Sequence, residues 1–209
     1  AILVEVTSFT LMALFIARLG TVAAASHQIA ASMAAVLYML PLSLAIATSS
    51  RASFWLGADH PARARATILT GLALTLIAAT SQSSLIWLGR HWVAAFYAAQ
   101  PDVVSLGASL LGWVALYHFF DAIQAVCVFV LRCYHVTVAP LLIYCILLWG
   151  IGLGGGYLLA YEGWSGLEAT RTPDTFWAAG AGALALTAGF FLLLTWRELR
   201  QSAPARQPA

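Results

Sequence analysis

Hydrophobic positions come in six long stretches, at residues 1–19, 25–56, 64–88, 102–131, 137–161 and 174–196, separated by clusters of charge, glycine and proline. Each stretch is long enough for a spanning helix, which needs about 20 apolar residues at about 1.5 Å rise apiece. The first ends in a short turn at Gly20, and the second contains Pro41, which is expected to kink its helix. A polar link from Gly57 to Arg65 leads into the third stretch. A second link, Arg90 to Asp102, has room for a short interfacial helix at Trp92–Tyr97, and a longer one runs from Glu162 to Asp174. The pattern predicts an all-α membrane protein: a six-helix transmembrane lobe over residues 1–196, followed by a disordered cytoplasmic tail over 197–209.

Composition sharpens this reading. Hydrophobic residues make up 62% of the chain and charged residues 9%, and the mean hydropathy is +0.87. An ordinary soluble domain is about half apolar and about a quarter charged. Six spans use nearly all of the 209 residues, so no soluble catalytic or nucleic-acid-binding domain fits. The net charge of +2 comes from arginines near span ends and points to topology rather than to nucleic acid. Alternating the spans puts Arg51, Arg63, Arg65, Arg132, Arg197, Arg200 and Arg206 on one side, against Arg18, Arg90 and Arg171 on the other. Seven against three makes the first side cytoplasmic, C-terminus included, in a multi-pass inner-membrane protein.

Trp55, Trp87, Trp92, Trp164 and Trp177 fall near predicted span ends, where amphipathic rings sit among headgroups. Cys127, Cys133 and Cys145 have no metal-ligand spacing and read as packing residues. The glycines at 150, 152, 154, 155 and 156, and at 180, 182 and 189, would let helices approach closely. Ala1 already lies in an apolar run with no signal peptide visible, so the chain is expected to begin part-way through a larger protein.

Two acids stand inside apolar stretches, Glu5 and Asp121. Asp121 precedes Arg132 by eleven residues, which puts it about 16 Å deep, near the middle of a hydrocarbon layer of about 30 Å. An ionised, unpaired carboxylate there costs several kcal/mol, so it must face the bundle interior, carry a proton or hold a cation. Such a group can exchange H+ or Na+ for something else. Tyr117 and Gln124 share its helical face, with Trp113 one turn further along. His118 lies on the adjacent flank, and Phe119 and Phe120 could supply an aromatic wall suited to lipophilic cations. Glu5, with Ser8 and Met12 along its own face, could line the same cavity. Plainer alternatives stand beside these: Asp121 as a structural hydrogen-bonded acid, Glu5 as a residue reaching the headgroups, and His27 as a helix-end hydrogen-bonding group rather than a proton relay.

Two segments carry a family resemblance: LGTVAAASHQIAASMAAVLYMLPLSLAIATSSRASFWLGA, Leu19 to Ala58, and YHFFDAIQAVCVFVLRCYHVTVAPLLIYCILLWGIGLGGGYLLAY, Tyr117 to Tyr161. With HQIA and DAIQ followed by LR in this order, the chain resembles the multidrug and toxic compound extrusion family, its bacterial NorM-type branch most closely. The resemblance covers nearly the whole chain and matches the second of the family's two six-helix lobes. It implies export of cationic amphiphilic drugs in exchange for Na+ or H+. It also implies a cation-coupling site at Glu5, Tyr117 and Asp121, with no metal cofactor. Cys133 and Val136 depart from the family's usual glycine and acid after Leu131–Arg132, which puts the cytoplasmic loop geometry in question. Without the N-terminal six-helix lobe, this half is expected not to transport.

Two rivals are weaker. A flippase of related architecture would need several mid-span arginines for a polyanionic substrate, and none is present. An intramembrane enzyme built on His27, His118 and Asp121 would need a nucleophile or metal set, yet no HxxxH, HxxE or GxSxG arrangement accompanies them.

Overall fold

Helices start where proline can open them, and they run beyond the apolar stretches. A computed structural model describes residues 2–163 and 168–201; the side chains of Ile2, Leu3 and Glu5 lie outside that description, as do Trp164 and the tail after Gln201. The elements are α1 (Ile2–Ala17), α2 (Thr21–Gly57), α3 (Pro61–Tyr97), α4 (Pro101–Cys133), α5 (Val138–Tyr144) and α6 (Pro173–Gln201). Beyond α5 the chain continues helically as two π-helical stretches, Cys145–Gly155 and Leu158–Glu162. Pro61, Pro101 and Pro173 each open a helix, a position where the missing N–H costs nothing. No strand occurs among the described residues. Five helical segments, the continuous run Val138–Glu162 among them, are long and apolar enough to cross a membrane. In hydrocarbon every backbone donor needs an internal partner, and a helix satisfies all of them.

Several expectations change. At 37 residues, α2 and α3 are each about 55 Å long, well beyond a hydrocarbon layer of about 30 Å. The expected interfacial helix Trp92–Tyr97 is therefore the end of α3, and the link shrinks to 98–100. Likewise α6 carries on to Gln201 instead of giving way to a tail at 197.

Around α4, the most buried helix, stand α2, α3 and α6; α6 also packs on the π-helical stretch, and α1 bridges that stretch to α2. Polar residues explain the choice of centre: α4 carries His118, Asp121 and Gln124, all buried, and such groups face the bundle interior. One end of the bundle is marked by the cluster of Ala52, Ile68, Val130 and Leu199. The opposite end is marked by Ile16, Ala23, Ala160 and Phe176. Helices thus alternate in direction, and among the described residues Arg51, Arg63, Arg65, Arg132, Arg197 and Arg200 fall toward the first end and Arg18, Arg90 and Arg171 toward the second.

Glycines serve unequal purposes. Gly20, at φ +115°, turns the chain between α1 and α2 in a conformation that L side chains rarely adopt, with open space around it. Gly152 and Gly156 seat the π-helical stretch against Gly180, Ala183 and Phe176 of α6, while Gly150, Gly182 and Gly189 meet nothing and make no close contact. The tightest approach is Gly71 of α3 on α2, where an added Cβ would stand 2.2 Å from Thr48 Oγ1. Threonine is stiff at χ1, so the neighbour cannot swing aside freely. Gly71→Ala is expected to destabilise the bundle by about 1–3 kcal/mol through overpacking, with partial recovery in the Thr48→Ala double variant, as measured by unfolding in mixed micelles.

Candidate functional site

A cavity of about 510 Å³ opens between α1, α2, α4 and the end of α5. Its polar wall is α4: Tyr117, Asp121 and Gln124 project into it at helical spacing, and Arg132 lies at its far end, about 22 Å along the axis. Val6, Phe9 and Thr10 of α1 face them, and Ala31, Ala34, Tyr38 and Met39 of α2 make an apolar side. The small alanines leave the space that larger residues would fill. Asp121 is only 4% exposed, and its Oδ1 accepts a hydrogen bond of 2.9 Å from Gln124 Nε2. One carboxylate oxygen is thereby held in place in a largely apolar pocket, where a positive charge would be strongly favoured.

Behind Tyr117 stands an aromatic cluster absent from the sequence-based list. Trp177 of α6, fully buried, meets the Tyr117 ring edge-on at 5.5 Å and the Phe9 ring at 6.0 Å. Phe9 and Tyr117 are themselves 5.8 Å apart. Trp177 Nε1 donates to His27 Nδ1 at 3.2 Å. That bond makes Nδ1 an acceptor, so His27 is a neutral hydrogen-bonding group tying α2 to α6. Trp177 therefore belongs to the core and not to the headgroup zone. Its signal in the sequence was ambiguous, because it lies one turn after the Pro173 that opens α6.

The other site candidates scatter. Ser8 and Met12 face a sliver of about 20 Å³ against the π-helical stretch and α6, sharing only Phe9 and Tyr117 with the neighbourhood of Asp121. They are seam residues, since the cavity side of α1 is Val6, Phe9 and Thr10. His118 points the other way, its Nε2 3.2 Å from Gln82 Oε1 of α3. Trp113 and Phe119 line a separate groove between α3 and α4. A flank neighbour on a helical wheel faces whichever helix packs there, and for His118 that helix is α3. The side chain of Glu5 lies outside the described residues; its backbone is in α1, one turn before Phe9. The cysteines pack as expected: Cys127 is buried, and Cys133 Sγ bonds the Ser49 and Phe129 carbonyls at 3.4 Å.

Known proteins carry the same pattern. Residues 1–158 match the MatE family. A probable multidrug resistance protein NorM of Aromatoleum aromaticum is 42% identical over 188 residues, covering 90% of this chain and 40% of the relative. The multidrug resistance protein MdtK of Photorhabdus laumondii is 33% identical over 95% of this chain and 43% of its own length. The chain thus spans well under two thirds of the curated relatives it matches. In three dimensions it resembles the crystal structure of the eukaryotic MATE transporter AtDTX14, with a TM-score of 0.79 at 21% identity, over 93% of this chain and 44% of that one. With six helical segments in the arrangement of one half of such a transporter and a family match over most of its length, this chain belongs to the MatE family, the multidrug and toxic compound extrusion proteins.

Proposed function

We propose that the chain is the C-terminal lobe of a cation-coupled exporter of cationic amphiphilic compounds in the inner membrane, its C-terminus cytoplasmic. The observation that carries this reading is the buried Asp121 carboxylate, set between Tyr117 and Gln124 on the wall of a cavity lined mainly by apolar and aromatic side chains. That wall favours a single positive charge on an apolar body. Na+ or H+ entering at Asp121, with Glu5 as second acid, competes with a drug cation for the same charge. Occupancy by one expels the other, and this exclusion couples the two fluxes.

One-for-one exchange of two monovalent cations moves no net charge, so the drive is the concentration gradient of the coupling ion: a tenfold gradient supplies about 1.4 kcal/mol and sustains an equal, tenfold drug gradient. Alternating access then comes from rocking of this lobe against an N-terminal six-helix lobe that completes the cavity wall. The names of the NorM and MdtK relatives, which speak of multidrug resistance, support the same reading.

The test is ethidium uptake into inverted vesicles containing the whole protein, with either a Na+ or a proton gradient imposed. Uptake driven by one of the two gradients supports coupled antiport. Uptake that follows neither gradient, or none at all, overturns it.

A further inference from the structure

A second cavity, larger than the one holding Asp121, lies elsewhere in the lobe. A groove of about 900 Å³ lies between α3 and α4, on the opposite side of α4: at about 100° per residue, Gly112, Leu116 and Phe119 stand roughly half a turn round from Asp121. It sits near the α3–α4 link, the end where Arg90 closes it. Arg90 does not extend into water. Its guanidinium lies 4.5 Å over the Trp87 ring, and Nη1 comes within 3.7 Å of where a Cβ on Gly112 would stand. The absence of a side chain at Gly112 is what lets Trp87 and Arg90 fold back onto α4.

No carboxylate pairs with Arg90 among the described residues. Deeper in, the Ser83 hydroxyl is buried without a hydrogen-bond partner among them. Asp174 accepts a hydrogen bond from Ser109 of the groove wall and is not itself on that wall. A half-buried cation and a free hydroxyl above an apolar wall at Leu88, Leu116 and Phe119 suit an amphiphile with the opposite charge from the one Asp121 favours. Leu88 is 83% exposed on a membrane-spanning helix, so the wall opens to lipid.

We propose that this groove binds an anionic phospholipid from the leaflet on the α3–α4 link side. Arg90 takes the headgroup phosphate, and Leu88, Leu116 and Phe119 take an acyl chain. The site is separate from the export cavity and does not depend on how Asp121 works.

The experiment is native mass spectrometry of the whole protein in mild detergent, with equimolar phosphatidylglycerol, phosphatidylethanolamine and phosphatidylcholine added. The native protein should retain phosphatidylglycerol about fivefold over the two zwitterionic lipids, the ratio expected for one arginine near an anionic headgroup. Arg90→Gln should erase that preference, while Arg18→Gln, which removes a charge at the same end of the bundle, and Asp121→Asn should keep it. Leu116→Trp, which fills the groove without changing charge, should lower retention of all three lipids. Equal retention of the three lipids by the native protein overturns the proposal. So does a preference that survives Arg90→Gln, or one that Arg18→Gln removes equally. If Arg90→Gln is not recovered as folded protein, unaltered retention in Leu116→Trp overturns it by itself.

Discussion

Asp121→Asn is expected to reduce cation-driven drug export at least tenfold while leaving the protein folded and abundant. Asparagine keeps the shape of the side chain and an oxygen that can accept the 2.9 Å hydrogen bond from Gln124, so packing around α4 is preserved. What disappears is the Asp121 negative charge in a cavity walled by Val6, Phe9, Ala31 and Ala34. Both the coupling ion and a drug cation then lose the Asp121 counter-charge, and a loss of only about 1.4 kcal/mol of differential interaction already gives a factor of ten. Because the substitution also removes a buried acid, stability should hold or rise slightly. Ethidium efflux at matched membrane abundance measures the first effect, and unfolding in mixed micelles the second. Normal efflux in this variant would make Asp121 a structural acid and remove the basis of the coupling scheme.

Trp177→Ala should have the largest effect on stability, about 3–5 kcal/mol, the range for emptying the site of a buried tryptophan. The ring is fully enclosed and touches the Phe9, Tyr117 and His27 rings, so its loss leaves a hole where α1, α2, α4 and α6 converge. Trp177→Phe separates packing from hydrogen bonding, since it keeps much of the ring and removes only the donor to His27 Nδ1. In a membrane protein such a bond contributes about 0.6 kcal/mol on average and up to about 1.7, so Phe should cost far less than Ala. SDS-titrated unfolding of the three proteins gives both numbers. Equal losses in Ala and Phe would show that the hydrogen bond dominates, and a negligible loss in both would contradict the packing described for this cluster.

Hydropathy located the spans well and their ends poorly. It reports where side chains leave hydrocarbon, whereas α3 continues as helix through Arg90 and His91 to Tyr97. The π-helical stretch after Tyr144 was not legible at all, because its glycines predict only close approach and not the register of backbone bonding. Asp121, Tyr117 and Gln124 were readable as one stripe because all three lie on a single helix, where spacing dictates direction.

Residues from other helices were not readable in this way. Ser8 and Met12 turned to the α6 seam, and His118 and Trp113 to α3, since the neighbour that each flank meets depends on how helices are arranged around α4. By itself the sequence determined the membrane class, the helical stretches and the one buried carboxylate of α4, because each follows from bilayer energetics acting on a linear pattern. Only the tertiary structure decided which helix is central, that Trp177 and His27 meet across 150 positions of chain, and that α4 has a carboxylate-bearing cavity wall and an arginine-capped groove back to back, because contacts between distant segments leave no periodic trace in either one.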